Sequence, residues 1–419
     1  MQKTLAVIGG GAAGFFGAIN AAESDPELQV HIFEKGNNFL SKVKISGGGR
    51  CNVTNACFEP ELLVQNYPRG KKELLGPFYI FNPEHTINWF AKRNIKIVAE
   101  EDGRMFPSTN SSQTIIDCFM AEAAKHKIHV HQQTGIQEIL QLEKGDWKLI
   151  SSDKKEYHFD QLLITTGNSQ QVWNMLKQLG HTIIPPVPSL FTFNVKDKRI
   201  QDLMGVSIPN VSCSILHSKL NTSGPLLITH WGFSGPAILK LSAWAAIELH
   251  ALQYNFKLQI NFIPEFNYQT CLEILSANRK TSPKKTIALT NKFNLPGRFY
   301  KSICDFAEIP ASLTWSDISK DKMQLLANLL TESIFQVTGK SNFKDEFVTC
   351  GGVKLQEVDF KTMRSKICPN LYFAGEVLNI DAVTGGFNFQ AAWTTAFIAA
   401  NAIGGGGKIQ QRITRILTN

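Results

Sequence analysis

The run Gly9-Gly-Gly11-Ala-Ala-Gly14 sits between a short apolar stretch, Thr4–Ile8, and a small-residue, helix-permissive stretch over positions 12–22. That order constrains the fold more than any other feature of the chain. A lone G-x-G-x-x-G is matched by many glycine-rich loops, but between a buried parallel strand and a helix each glycine has its own task. The first permits a tight turn, the second lets a pyrophosphate reach backbone N–H groups at the helix N-terminus, and the third lets helix and sheet approach closely. Ala12 and Ala13 open the helix and belong to the same cradle. A second apolar run, Gln29–Phe33, ends in Glu34, followed by Lys35. A carboxylate there can accept from both hydroxyls of a ribose and fits a free 2′-OH rather than a 2′-phosphate. The segment reads as a βαβ dinucleotide-binding unit, with a glycine turn of another α/β domain as the competing reading.

The opposite end carries a second glycine-rich signature, Leu371-Tyr-Phe-Ala-Gly375-Glu376-Val-Leu-Asn-Ile-Asp-Ala-Val-Thr-Gly385-Gly386-Phe387-Asn388-Phe-Gln390. Positions 370–374 read as a strand closed by Gly375 and Glu376, and Gly385 to Asn388 lead into a helical run over 390–402. A carboxylate at a strand end can hold a polyol hydroxyl. A helix N-terminus beyond it would aim unpaired N–H groups and a positive dipole end at an electron-rich ring. A reduced flavin is negative at N1 and the C2 oxygen, so such a helix end would favour reduction. Two signatures for one extended ligand imply FAD; an ordinary turn is the plain alternative for Gly385-Gly386.

Two further segments extend this cofactor set. Lys42 precedes Ser46-Gly47-Gly48-Gly49-Arg50-Cys51-Asn52-Val-Thr-Asn55, where three glycines suit a loop pressed against phosphate or a ring edge and Asn52 supplies an orienting amide. Cys51 reads first as a small buried thiol filling space. The apolar strand beginning at Gln161 stops at Thr165-Thr166-Gly167, which fits close backbone approach to a ligand, and Ile136, opening a hairpin-like run over 136–160, is placed with the same set.

At 419 residues the chain exceeds one hydrophobic core, so two or three domains are expected. Its eight cysteines form no C-x-x-C pair, which argues against a dithiol reductase and a structural zinc or iron–sulfur site; no metal is expected. The chain begins almost directly on the nucleotide strand and its apolar stretches are short or interrupted, so a cytoplasmic protein with no membrane span is expected. Pro185, Pro186 and Pro188 mark a boundary, after which short β-like runs continue to about 266 and helical patterns from 267 to about 337. The expected organisation is a discontinuous cofactor domain, 1–188 and 345–419, with an inserted β domain at 189–266 and a small helical domain at 267–344. Between Asn267 and Lys301 stand Arg279, Lys280, Lys284, Lys285, Lys292, Arg298 and Lys301 against the single acid Glu273, within a net charge of +8. A solvated face is the plain reading; docking of an anionic substrate, a nicotinamide cofactor or RNA is the sharper one.

The string Ser46 to Asn55 resembles the signature of the YhiN/BaiN-like bacterial flavoproteins, a group of NAD(P)/FAD-dependent, aminoacetone-oxidase-like enzymes. Asp102-Gly-Arg104-Met-Phe-Pro107, Gly180-His-Thr-Ile183, Thr229-His230-Trp231-Gly-Phe-Ser-Gly-Pro236, Val348-Thr-Cys-Gly-Gly-Val353 and Thr362-Met-Arg-Ser-Lys366 follow in the order of that family's blocks, covering essentially the whole chain. The resemblance implies an α/β protein whose Rossmann-like FAD-binding domain is interrupted by a β-barrel-like domain and a small helical domain. The chain departs from the family at Asn168-Ser-Gln-Gln171, at Asn379 and around Ala382-Val383, positions that bear on substrate and turnover.

No Ser-His-Asp or metal constellation is legible. His230 and Trp231 are candidates for a place near the flavin or substrate, where a histidine could relay a proton, against a buried core histidine as the plain reading. Arg104 and Arg50 are balanced between anion contact and structural ion pairing. The expected function is an FAD-dependent oxidoreductase, with hydride passing through flavin N5 between NAD(P)H and a small organic substrate. No second nucleotide fingerprint stands in the sequence, so NAD(P)H would dock transiently. A flavin oxidase of an amine or carbonyl compound is one alternative. A tRNA-modification-like, nucleic-acid-associated flavoprotein is another, and the scarcity of stacking aromatics in the basic stretch counts against it.

Overall fold

The computed structural model describes residues 2–143, 145–340 and 348–405, and the chain divides into two compact units, Met1–Pro186 with Thr349–Asn419, and Val187–Val348. The expected boundary at 344/345 lies outside the described residues.

The first unit is built on a seven-stranded sheet. An inner strand, Thr4–Ile8, pairs in parallel with Gln29–Phe33 on one side and with the central strand Gln161–Ile164 on the other, and Leu371–Phe373 pairs in parallel with Gln161–Ile164. His129–His131 forms the far edge beside Gln29–Phe33. Residues Leu5 to Ile8 are at most 3% exposed, the continuous apolar run of a strand covered on both faces. The helices Ala12–Ser24 and Phe387–Ile403 lie against each other on this sheet. Gly17 allows it: a Cβ there would come within 2.8 Å of Leu163 and 3.6 Å of the Ala396 methyl. Phe16 fills the space beside them, with ring centroids 4.7 Å from Trp89 and 5.2 Å from Trp393. A three-stranded antiparallel sheet of Ile136–Gln141, Trp147–Ser151 and Glu156–Phe159 replaces the simple hairpin expected at 136–160.

The second unit is organised by a closed barrel, in the order Phe193–Val195, Gly232–Ser234, Asn221–Ile228, Ser207–Ile215, Phe256–Asn261, Ser333–Lys340. Its last strand lies where the sequence carries helical patterns as far as about 337. Alternation decided otherwise: Ser333, Phe335 and Val337 point inward and Ile334 and Gln336 outward, a period of two that fits pairing with Phe256–Asn261. The helices Tyr268–Thr281, Gly297–Phe306 and Lys320–Thr331 share one apolar core with the barrel, in which Leu275, Phe299 and Leu326 join Leu258, Ile260 and Phe335.

Three histidines meet at the edge of the main sheet. His31 Nδ1 lies 3.0 Å from His131 Nε2, and the His129 ring stacks on His31 at 4.5 Å. One ring must donate and the other accept, which fails once both are charged. Burial, then the neighbouring His129 and His131, hold His31 down to about 4 from 6.5, and burial lowers His131 as well. The folded imidazoles bind protons less readily than the unfolded ones, so this contribution to stability is intact above 6.5 and is lost as pH falls toward about 4. Thermal unfolding at neutral pH and at about pH 5 should show a midpoint that drops on acidification, with a smaller drop for His31→Phe, which keeps the ring packing. An equal drop in both proteins would remove the cluster from the acid response.

Candidate functional site

The glycines of the N-terminal loop divide the work as their spacing requires. Gly9 has φ +114°, and a Cβ on it would lie 2.7 Å from the Thr165 carbonyl oxygen; a Cβ on Gly14 would overlap the Gly9 carbonyl. A Cβ on Gly11 would meet nothing within 4 Å. Gly11 is also the N-cap of Ala12–Ser24 and offers no side-chain cap, so the first-turn amides beginning at Ala12 and Ala13 open toward free space. Thr165 Oγ1 donates to the carbonyls of Ile8 and Gly9 at 3.0 and 2.9 Å. Thr166 Oγ1 is buried with no partner. An open helix end beside an unpartnered buried hydroxyl fits a phosphate-bearing ligand.

Glu34 lies at the end of its strand and holds the same loop. Its Oε2 accepts from Gly10 N–H at 2.8 Å and its Oε1 from Gly36 N–H at 2.7 Å. Each oxygen retains a lone pair for a ribose hydroxyl. Lys35 is exposed beyond it, and Ile136 is buried, its carbonyl accepting from Gln171 Nε2 at 3.4 Å.

The middle signature is a helix, Ser41–Gly49, whose last turn unwinds: Ser46 is extended, and Gly47 and Gly48 have φ +57° and +69°. Gly48 and Gly49 face open space, whereas a Cβ on Gly47 would lie 2.8 Å from the Phe106 ring. Ser46 Oγ donates to the Val43 carbonyl. Cys51 is fully buried with φ +62°, and burial pushes its thiol up to about 12, so it is a neutral space-filler. Arg50 lies 4.0 Å over Phe106 and pairs with Glu100 at 2.6 Å. Arg104 pairs with Glu100 and Asp102 at 3.1 and 2.7 Å. Both arginines therefore have carboxylate partners inside the unit.

The middle and C-terminal glycine segments are tied together by side chains. Oriented to satisfy both of its atoms, the Asn52 amide donates to the Thr54 carbonyl at 3.0 Å and accepts from Gly386 N–H at 2.9 Å. Asn55 Nδ2 donates to the Gly385 carbonyl at 3.0 Å. A Cβ on Gly386, φ +92°, would overlap the Thr54 carbonyl, so only glycine lets the loop and the C-terminal helix meet. The Phe387 carbonyl accepts from Tyr67 Oη at 2.6 Å, and the Asn388 side chain closes on Ala382 through both its atoms. Lys42 pairs with Glu376, whose other oxygen accepts from Thr349 N–H at 3.2 Å, and Gly167 lies beside this pair. Glu376, expected to hold a polyol, already has a partner on each oxygen.

Arg69, Asp381 and Tyr67 escaped sequence reasoning. Arg69 forms a two-point ion pair with the fully buried Asp381. Asp381 stood inside the C-terminal signature, but Arg69 is 312 positions away and carried no local signal. His230 and Trp231 lie in the second unit, on the turn between the strands Asn221–Ile228 and Gly232–Ser234. His230 is exposed rather than a core histidine, and its ring meets the 54% exposed Trp231 edge-on at 5.1 Å.

Two substitutions probe the arrangement. Glu34→Ala should weaken FAD retention about tenfold, since it removes a charged acceptor and frees the Gly10 amide; unchanged affinity in flavin titrations would exclude Glu34 as a ribose ligand. Arg69→Met should cost about 3–5 kcal/mol in denaturant unfolding, because it removes the two-point cationic partner of the fully buried Asp381 carboxylate.

The family model described as HI0933-like protein Rossmann domain matches residues 3–402. The chain is 24% identical over 413 residues to a 3-dehydro-bile acid delta(4,6)-reductase of Clostridium scindens, covering 96% of this chain and 99% of that protein. It is 28% identical over 410 residues to a ribosomal RNA dihydrouridine synthase of Haemophilus influenzae, covering 95% and 97%. Among solved structures, a 3-ketosteroid delta1-dehydrogenase of Sterolibacterium denitrificans superposes with a TM-score of 0.51 at 9% identity, covering 96% and 100%, and shares the fold.

Proposed function

The chain belongs to the family of HI0933-like proteins and is an FAD-dependent oxidoreductase; on that premise we propose that it is a reductase that saturates a carbon–carbon double bond conjugated to a carbonyl, with NAD(P)H as a transient donor. One observation carries the cofactor side of this reading: the open helix end at Gly11 beside the unpartnered Thr166 hydroxyl, in the same unit as the Gly385-Gly386 turn. Gly9 to Gly14 and Thr166 would hold the pyrophosphate, Glu34 the ribose, and Lys42, Ser46 to Asn52 and Gly385 to Asn388 the flavin end. When bound, FAD supplies a two-electron carrier whose N5 takes a hydride from the nicotinamide and delivers it to the acceptor.

The names of the relatives support the acceptor class. A delta(4,6)-reductase acting on a 3-dehydro bile acid reduces double bonds conjugated with a ketone. Dihydrouridine differs from uridine by two hydrogens across C5=C6, a bond conjugated with the C4 carbonyl. Each double bond reduced consumes one NAD(P)H and one H⁺ and gives one NAD(P)⁺, once for a uracil and twice for a 4,6-diene; for a single conjugated bond the hydride goes to the β-carbon and the proton to the α-carbon.

Of the two acceptor classes, a uracil within RNA is favoured by the basic stretch Arg279 to Lys301 and by the ribosomal RNA dihydrouridine synthases that the chain resembles. The sequence alone weighed against nucleic acid, and the relatives weigh for it. A small enone is the second reading, supported by the Clostridium scindens relative.

The purified protein should be yellow and should bleach anaerobically with NADH or NADPH. RNA should then restore the colour and gain two hydrogens per modified uridine, read by mass spectrometry of nucleosides. A colourless protein that takes up no FAD defeats the proposal, and bleaching by neither nucleotide removes NAD(P)H. Recovery with a steroid enone but not RNA selects the small-molecule acceptor. Recovery with oxygen alone selects a flavin oxidase.

A further inference from the structure

We propose that the exposed cations carried by the helical part of the second unit, centred on Arg279, Lys280, Lys284, Lys285 and Lys292, are the surface on which an RNA phosphate backbone docks; this rests on the RNA acceptor proposed above. All five side chains belong to exposed residues. The chain after the helix Tyr268–Thr281 folds back on the 314–316 turn: Trp315 N–H donates to the Lys285 carbonyl at 3.1 Å and Ser316 N–H to the Pro283 carbonyl at 3.0 Å. Arg279 Nη2 donates to the Ser316 carbonyl at 3.4 Å, which brings Arg279, Lys284 and Lys285 around one turn. Ile287, Phe293, Leu295 and Trp315 are buried beneath, so the loop is anchored from inside while its lysines face out.

The same character continues on the helix Gly297–Phe306. Arg298 and Lys301 are exposed one turn apart, and Arg298 Nη2 donates to the Asp202 carbonyl at 2.6 Å. Ser302 Oγ donates to the Arg199 carbonyl at 2.9 Å, which sets the exposed Lys198, on the short turn after the barrel strand Phe193–Val195, beside that helix.

What separates this face from an ordinary solvated one is its excess of cations: Glu273 is the single acid between Asn267 and Lys301, and the exposed Asp202 and Asp305 border it beside Arg298 and one turn beyond Lys301. Among the described residues, no ion pair engages these cations. Arg50, Arg69, Arg93, Arg104 and Arg199, in contrast, each have a carboxylate partner. Asp317, the acid on the 314–317 turn, is taken by the hydroxyls of Thr314 and Ser316. A surface with this excess of exposed cations suits a polyanion, whose condensed counterions it releases. Leu289 stands 87% exposed among these lysines, an apolar side chain able to lie against a base. A lipid surface would need an apolar helix face turned outward. Here Phe299, Tyr300, Ile303 and Cys304 turn that face of Gly297–Phe306 inward.

The test is fluorescence-anisotropy binding of a labelled RNA stem-loop to the FAD-loaded full-length protein between about 50 and 200 mM salt. Affinity should fall steeply with salt. The variant Lys284→Ala/Lys285→Ala/Lys292→Ala should bind at least about tenfold more weakly, with a salt slope smaller by about two, while its flavin spectrum and bleaching by NAD(P)H stay unchanged. Lys280→Ala, a single surface change, should lower the slope by somewhat under one. Unchanged affinity and slope in both variants would overturn the docking surface and leave the RNA acceptor standing, because dihydrouridine formation is read separately. Failure of the wild-type protein both to bind RNA at low salt and to form dihydrouridine would overturn the two together. Tighter binding to phosphatidylglycerol vesicles than to RNA would assign the face to a membrane instead.

Discussion

The first unit depends on the close seating of the C-terminal helix, Phe387–Ile403, and on the buried polar network that fixes it. Gln390 is fully buried and its Oε1 accepts from Thr54 Oγ1 and Thr86 Oγ1 at 2.7 and 2.9 Å. Thr394 Oγ1 donates to the Phe81 carbonyl at 2.7 Å, Thr395 Oγ1 accepts from Gly375 N–H at 3.0 Å, and Trp393 Nε1 donates to the Val53 carbonyl at 2.9 Å. Buried donors and acceptors are costly when unpaired, so this set specifies one seating and penalises others. Because the partners come from positions 53–54, 81, 86 and 375, the same contacts seat the helix against the middle glycine segment and the Gly375 turn.

Glycines are the counterpart of that network. At Gly9, Gly14, Gly17 and Gly386 a Cβ would meet backbone or packed side chains, so each marks a place where two segments touch. At Gly11, Gly48 and Gly49 a Cβ would meet nothing, and these mark where the protein leaves room. The two kinds look alike as letters, and only the surroundings separate contact from vacancy.

This distinction explains how much of the molecule was legible in the sequence. The strand, turn and helix around Gly9 to Gly14 could be read because each is a local pattern, and strand Gln29–Phe33 ending in Glu34 followed from spacing. The family resemblance extended that reading to the inserted barrel. The barrel's closing strand, Ser333–Lys340, was hidden because it follows three helices and pairs with Phe256–Asn261 across more than seventy residues, a non-local contact that a local helical pattern masks. The Arg69–Asp381 pair was hidden for the same reason, since neither residue has a neighbour in sequence that implies the other. Lys42 and Glu376 were each singled out as ligand positions, and what the letters could not show was that they partner each other.

The polar groups of the cradle are largely committed to holding it. Glu34 clamps two amides, Glu376 holds Lys42 and Thr349, Asn52 and Asn55 bind the Gly385-Gly386 turn, and Asn388 binds Ala382. Preorganisation of this kind suits a cofactor that is always the same molecule, because donors fixed in advance need no rearrangement when it binds. It leaves few free groups in the cradle with which to choose among substrates. The unspent chemistry lies elsewhere, in exposed His230 and Trp231 and in the cations from Arg279 to Lys292, which no ion pair engages among the described residues. A fold that holds its cofactor with committed groups and keeps its free charge on an insertion can change acceptor by altering the insertion alone. The relatives are named for substrates as different as a bile acid and ribosomal RNA, and on the docking proposed above the insertion is where such a difference would be written.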